Sequence, residues 1–152
     1  MSGREIEGCK DPIDAILRQD KAFGPVEIDL DLWLTTHHYP AVVVTSSFSR
    51  VFDDPETTRR DLRKMDAVAR AQGTVSLKTR ILSHLQPTED TSIVCSIRDR
   101  LDADGNIIAS VSLTWVLMRE DGIWKIRTTH VDDGAYSESA MTWIMRNEGE
   151  DE

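Results

Sequence analysis

The chain has 152 residues and a mass of 17.2 kDa, enough for one domain with a substantial core. Its 27 acidic against 18 basic residues give a net charge of −9, which argues against general binding to nucleic acid or to an anionic membrane surface. No apolar run approaches the roughly 20 residues that a membrane helix needs, and the first residues lack the apolar core of a signal peptide. Cys9 stands in a polar arm and Cys95 inside a strand-like run, a spacing that suits neither a metal site nor a disulfide framework. A reduced, cytoplasmic setting without metal or cofactor is therefore expected, with Cys95 as a small buried hydrophobe.

Residues 1–10 read as a loose arm, 11–132 as the domain, and 133–152 as a C-terminal segment. Asp11-Pro12 supplies a helix cap followed by proline at the first helical position, and Gly24-Pro25 ends that helix. Residues 28–38 fit either period: Ile28, Leu30, Leu32 and Leu34 alternate like a strand, while Leu30, Trp33, Leu34 and His37 share a helical face. The β-branched run 41–45 is the first strand, and 46–53 continues as a short strand or hairpin. Asp54-Pro55 caps a long helix reaching about Gln72, with Leu62, Met65, Val68 and Ala69 on one face. Its Arg59, Arg60, Arg63, Lys64 and Arg70 read as a solvated face with local pairing to Asp61 and Asp66. Four strands follow, over 75–86, 91–101, 107–119 and 123–131, the last three joined by the Asp104-Gly105 and Asp121-Gly122 turns. A last helix over 137–147 and a solvated acidic tail complete the reading.

Pairing predicts the faces of the sheet, because residues opposite one another in a hairpin share a face. Glu120 paired with Ile123 sets Thr128 opposite Trp115 and His130 opposite Leu113. Asp102 paired with Asn106 sets Cys95 opposite Leu113 and Ile97 opposite Val111. One face then carries Ile93, Cys95, Ile97, Val111, Leu113, Trp115, Leu117, Trp124 and Ile126, joined by Leu77, Thr79 and Ile81 of the preceding strand. The other carries Ser96, Arg98, Arg100, Ser112, Thr114, Lys125, Arg127 and Thr129. In this register His130, Asp132 and Asp99 gather at one end of the apolar face. Charge there is costly unless paired or wet, so these three are the candidate catalytic residues. A satisfied structural His–Asp pair at a wet strand end is the plainer alternative.

Three stretches carry a resemblance: His38-Tyr39-Pro40 leading into Ala41-Val42-Val43-Val44, the capped helix after Phe52-Asp53-Asp54, and Asp121-Gly122-Ile123-Trp124-Lys125-Ile126. Together they resemble the nuclear transport factor 2-like (SnoaL-like) superfamily over most of the domain. The resemblance implies an α+β fold: a cone-shaped, strongly curved mixed or antiparallel sheet of five to six strands, with three helices closing its concave face, one of them over residues 28–38 directly before the first strand. It also implies a pocket, for which Trp115, Leu113, Thr128, Cys95, Ile81 and Trp33 are the candidate ligand-binding residues. Ketosteroid isomerases of the superfamily use an aspartate on the first strand, a protonated aspartate on a late strand and an early tyrosine. The matching positions here are Val44, Thr45 and Ser46, then Thr114, then Phe23, so that chemistry does not transfer. Its cyclases and dehydratases rely on histidine and aspartate within the cone, the roles open to His130, Asp132 and Asp99.

Fold does not select a function. The first expectation is a pocket for a small apolar molecule, with acid–base isomerisation, dehydration or cyclisation centred on His130. The alternatives are a ligand-binding or assembly module without chemistry, and an accessory subunit of a larger enzyme. A homodimer is expected through the outer sheet face, where Val116 and Met118 offer apolar anchors, since the family commonly pairs there. Light scattering at high micromolar concentration should then give twice the 17.2 kDa chain mass; a monomer mass would refute it.

Overall fold

A computed structural model of the protein describes residues 9–45 and 49–132. Helix α1 spans Pro12–Phe23, with the Asp11 carboxylate accepting from the Ile13 amide. Gly24 ends it at φ 66°, where a β-carbon would lie 2.9 Å from the Glu27 carbonyl oxygen, so the stop requires glycine. Helix α2 is a single short element, Leu30–Leu34, capped by Asp29. It is shorter than the expected helix because the backbone from His37 already pairs as strand β1, His37–Val44, which contains a cis Tyr39-Pro40 bond. Strand β2, Ser49–Phe52, forms a hairpin with β1, and α3 runs over Pro55–Ala71 behind the expected Asp54 cap. Strands β3 (Ser76–Thr88), β4 (Thr91–Leu101), β5 (Ile107–Glu120) and β6 (Ile123–Asp132) form the meander. The expected helix over 137–147 and the acidic tail lie outside the described residues.

The six strands form one open, curved sheet in the order β2-β1-β6-β5-β4-β3, antiparallel except where β1 lies parallel to β6. Its inner face packs Leu113, Trp115, Leu117 and Ile126 against Ile16 of α1, while Phe23, Trp33, Leu34 and Leu62 join the helices to one another. Cys9, expected in a loose arm, is buried in the first cluster, and its carbonyl accepts from the Trp124 amide at 2.8 Å. Two arginines anchor α3. Arg70 bonds Asp66 on its own helix, as expected, and also the Phe23 and Val75 carbonyls, with its guanidinium 3.8 Å from the Phe23 ring centroid. Asp61, only 1% exposed, accepts from Arg50 of β2 at 2.6 Å, a partner beyond the local pairing expected.

Both turns of the meander pair as expected, Asp102 with Asn106 and Glu120 with Ile123. Beyond each turn, however, one strand carries an extra residue. Ile108 has no partner between the Leu101↔Ile107 and Arg100↔Ala109 pairs, and Arg127 has none between Leu117↔Ile126 and Val116↔Thr128. A bulge of one residue exchanges the faces of everything past it. Val94, Ser96 and Arg98 therefore turn inward, and Ile93, Cys95 and Ile97 turn outward to half-buried positions. On β6, Thr129 and Val131 turn inward while His130 and Asp132 become exposed. Trp115 and Trp124 remain buried as predicted, but the expected face of Arg98, Cys95 and His130 is corrected.

The corrected register makes a stability prediction. His130→Ala should change stability by no more than about 0.5 kcal/mol, as for most surface substitutions. Val131→Ala, one residue on, should cost about 1.5–3 kcal/mol for its lost burial. Urea denaturation of the two variants checks the order, and the unbulged register requires the reverse.

Candidate active site

Between the sheet and the helices lies a partly open cavity of about 120 Å³, comparable to the ~150 Å³ apolar cavities that hold one benzene ring. Phe23, Trp33, Leu62, Leu113, Trp115 and Val131 belong to its apolar wall. Its few polar groups come chiefly from Gln19, His37, Arg98, Arg100 and Thr129.

Arg98 is 7% exposed and dominates the buried end. Its Nε donates to Thr79 Oγ1 at 2.9 Å and lies 3.1 Å from Asp20 Oδ1. The terminal nitrogens donate to Gln19 Oε1 at 3.0 Å and to the Ile16 carbonyl at 3.3 Å. The guanidinium carbon sits 5.1 Å from the Trp115 ring centroid and 5.7 Å from that of Trp33. Burial lowers its pKa, and the Asp20 carboxylate opposes that shift. Asp20 is itself held by the Thr79 amide and hydroxyl, at 2.7 and 2.8 Å. The pair is thus electrically balanced inside the protein.

His37 is 8% exposed and also lines the cavity. Its Nδ1 lies 3.3 Å from the hydroxyl of the buried Thr36. That hydroxyl donates its proton to the Trp33 carbonyl at 2.6 Å and accepts from Gln19 Nε2 at 3.1 Å. With its proton already committed, Thr36 can only accept from His37, so Nδ1 carries the hydrogen and Nε2 keeps a lone pair. No described residue pairs with that Nε2. Burial, then the nearby charges of Arg98 and His38, pull the His37 pKa down to about 4. The imidazole is therefore neutral near pH 7.

Of the residues singled out in the sequence, Trp33, Leu113 and Trp115 line this cavity. Thr128, Cys95 and Ile81 are not among its lining residues: the bulges send the first two to the outer side, and Ile81 packs partly buried against the core. His130 and Asp132 stand exposed on β6, away from the cavity. Asp99 is buried but turned outward, bridged to Arg80 at 2.9 Å and to Ser110 at 2.6 Å; the Arg80 hydrogen bond is the main cause holding its carboxyl below the usual range. The three expected catalytic groups are thus not brought together. His38, expected at a pocket rim or in packing, bonds the Met118 carbonyl at 3.0 Å. Arg98, His37 and Thr129 were missed because the first and last fell on the outer face of the unbulged register. No local signal marks Arg98, which stands between Ile97 and Asp99 with Ser96 and Arg100 two residues away on either side.

Residues 15–134 match the family described as NTF2-like protein (DUF6841). The chain belongs to this family. No curated protein matches this NTF2-like chain. Among solved structures it resembles an NTF-2 like protein of unknown function from Shewanella oneidensis MR-1, at 16% identity and a TM-score of 0.59, covering 88% of this chain and 100% of that one. It also resembles a protein of unknown function with a cystatin-like fold from Nostoc punctiforme, at 11% identity and a TM-score of 0.59, covering 79% and 86% of the two chains. A ketosteroid isomerase-like protein from Erwinia carotovora atroseptica gives 16% identity and a TM-score of 0.56, with 80% and 92% covered. These likenesses establish the fold.

The buried His37 predicts a pH dependence. Its pKa is near 6.5 when unfolded and about 4 when folded, so the unfolded chain binds more protons between those values. Stability is complete above about pH 6.5 and falls as pH drops toward 4, by on the order of 3 kcal/mol from this group. Urea midpoints measured from pH 7.5 to 4.5 should show this loss in the native protein and a flatter profile in His37→Phe.

Proposed function

We propose that this NTF2-like protein binds a small, largely apolar molecule in the cavity between its sheet and helices. The observation that carries the reading is the cavity itself: a ring-sized space walled by Phe23, Trp33, Leu62, Leu113, Trp115 and Val131, with a few buried polar groups at one end. Such a composition is that of a ligand site, where apolar walls supply affinity and sparse polar groups fix orientation. Binding is favoured over acid–base turnover. The expected proton-transfer group, His130, stands outside the cavity, and His37 is too weak a base near neutrality for efficient proton abstraction.

We also propose a homodimer through the outer sheet face. The bulge in β5 turns Ile93, Cys95 and Ile97 to that side, next to Val116 and Met118, which makes it more apolar than its sequence pattern suggests.

Benzene tests the binding reading. Because a ligand selective for the folded state stabilises it by mass action, saturating benzene should raise the melting temperature by a few degrees. Val43→Phe, which fills the cavity wall, should abolish the rise while preserving the fold by circular dichroism. No rise in the native protein, or an equal rise in the filled variant, would refute binding at this site.

A further inference from the structure

We infer that the buried end of the cavity recognises a hydroxyl group on a neutral, single-ring molecule: His37 Nε2 accepts the hydroxyl proton and Arg98 donates to the hydroxyl oxygen. This rests on the reading of the cavity as a small-molecule site and names the chemistry that the site selects.

The inference starts from what the two side chains have left to offer. Thr36 spends its only proton on the Trp33 carbonyl, which makes His37 Nδ1 the donor and leaves the Nε2 lone pair free. His37 is nine-tenths buried and lines the cavity, and no described residue meets that lone pair. Arg98 commits three of its five N–H groups, to Thr79, Gln19 and Ile16, and two remain without a partner among the described residues. Both residues line the cavity, one with an acceptor and the other with donors left over, and the charge of Arg98 is among the causes that lower the His37 pKa.

A hydroxyl is the simplest group that satisfies both, since it donates once and accepts through its oxygen. A carboxylate fits less well. It brings a charge where Arg98 is already balanced by Asp20, and both its oxygens would face a lone pair at Nε2 unless a proton were taken up. A hydrocarbon fits the walls but leaves both polar groups dry and unpaired, which binding sites penalise heavily. Trp33 and Trp115 flank Arg98, so a ring whose hydroxyl reaches this end lies against indole surface. The cavity volume of about 120 Å³ limits the molecule to about one ring.

Four probes of one ring size separate the possibilities: phenol, anisole, toluene and benzoate, each titrated into the native protein at pH 7 by calorimetry. Phenol should bind roughly 10–100-fold tighter than toluene. Anisole, which keeps an oxygen for Arg98 but lacks the proton for His37, should bind between toluene and phenol, and benzoate more weakly than phenol. His37→Phe should retain toluene binding and lose the preference for phenol over anisole. Should that variant not fold, the phenol–anisole difference in the native protein carries the same test. Toluene equal to phenol overturns the hydroxyl inference while leaving cavity binding intact. Anisole equal to phenol removes His37 as the acceptor, and benzoate tighter than phenol replaces the hydroxyl by an anion. If none of the four binds, as benzene also would not, the cavity reading itself fails.

Discussion

The buried guanidinium of Arg98 is the constraint around which the domain is arranged. Removing such a group from water costs several kcal/mol unless its charge and its N–H groups are met inside the protein. Here the charge and three of the five N–H groups are met by a carboxylate, an amide oxygen and a backbone carbonyl of α1, by a hydroxyl of β3, and by the indole faces of α2 and β5. No single element supplies enough partners. Helix α1 must therefore lie over the β3–β4 pair, and α2 must close down beside it. The same arrangement leaves the space between them walled by aromatic rings.

A second set of contacts holds the far side of that space. Asp61 ties α3 to β2 through Arg50, and Arg70 ties the end of α3 to the end of α1 and to Val75, the residue before β3. Phe52 and Leu62, beside these anchors, belong to the cavity wall. The cationic face of α3 is thus partly structural: its charges fix the helix at the distance from the sheet that keeps a cavity open. Polar groups inside the cavity follow from the same economy. Gln19 serves Arg98 with its oxygen and Thr36 with its nitrogen, which links the arginine to the tautomer of His37 through one side chain. The donor and the acceptor at the buried end are consequently set by one hydrogen-bonded chain.

Local chemistry was legible in the sequence. Asp11-Pro12 and Asp54-Pro55 start their helices by capping, Gly24 stops α1 through a left-handed backbone, and the Asp-Gly turns join the meander, because each acts within a few residues of itself. The element order followed from these signals, and the fold family from the resemblance carried by residues 38–44, the helix after Asp54 and residues 121–126. Three cavity residues, Trp33, Leu113 and Trp115, were likewise legible, being large and apolar, with Leu113 and Trp115 on the stretch of β5 between its hairpin turn to β6 and the Ile108 bulge. The faces of β4 and the end of β6 were not. The residues Ile108 and Arg127 carry no local mark of a bulge; they are accommodated there because the curved sheet must bend, and bending is a property of six strands packed under three helices. Alternation along a strand therefore determined that a buried face exists. Only the tertiary structure decided that Arg98 and Thr129 belong to it and His130 does not, since one unpaired residue reverses every side chain beyond it.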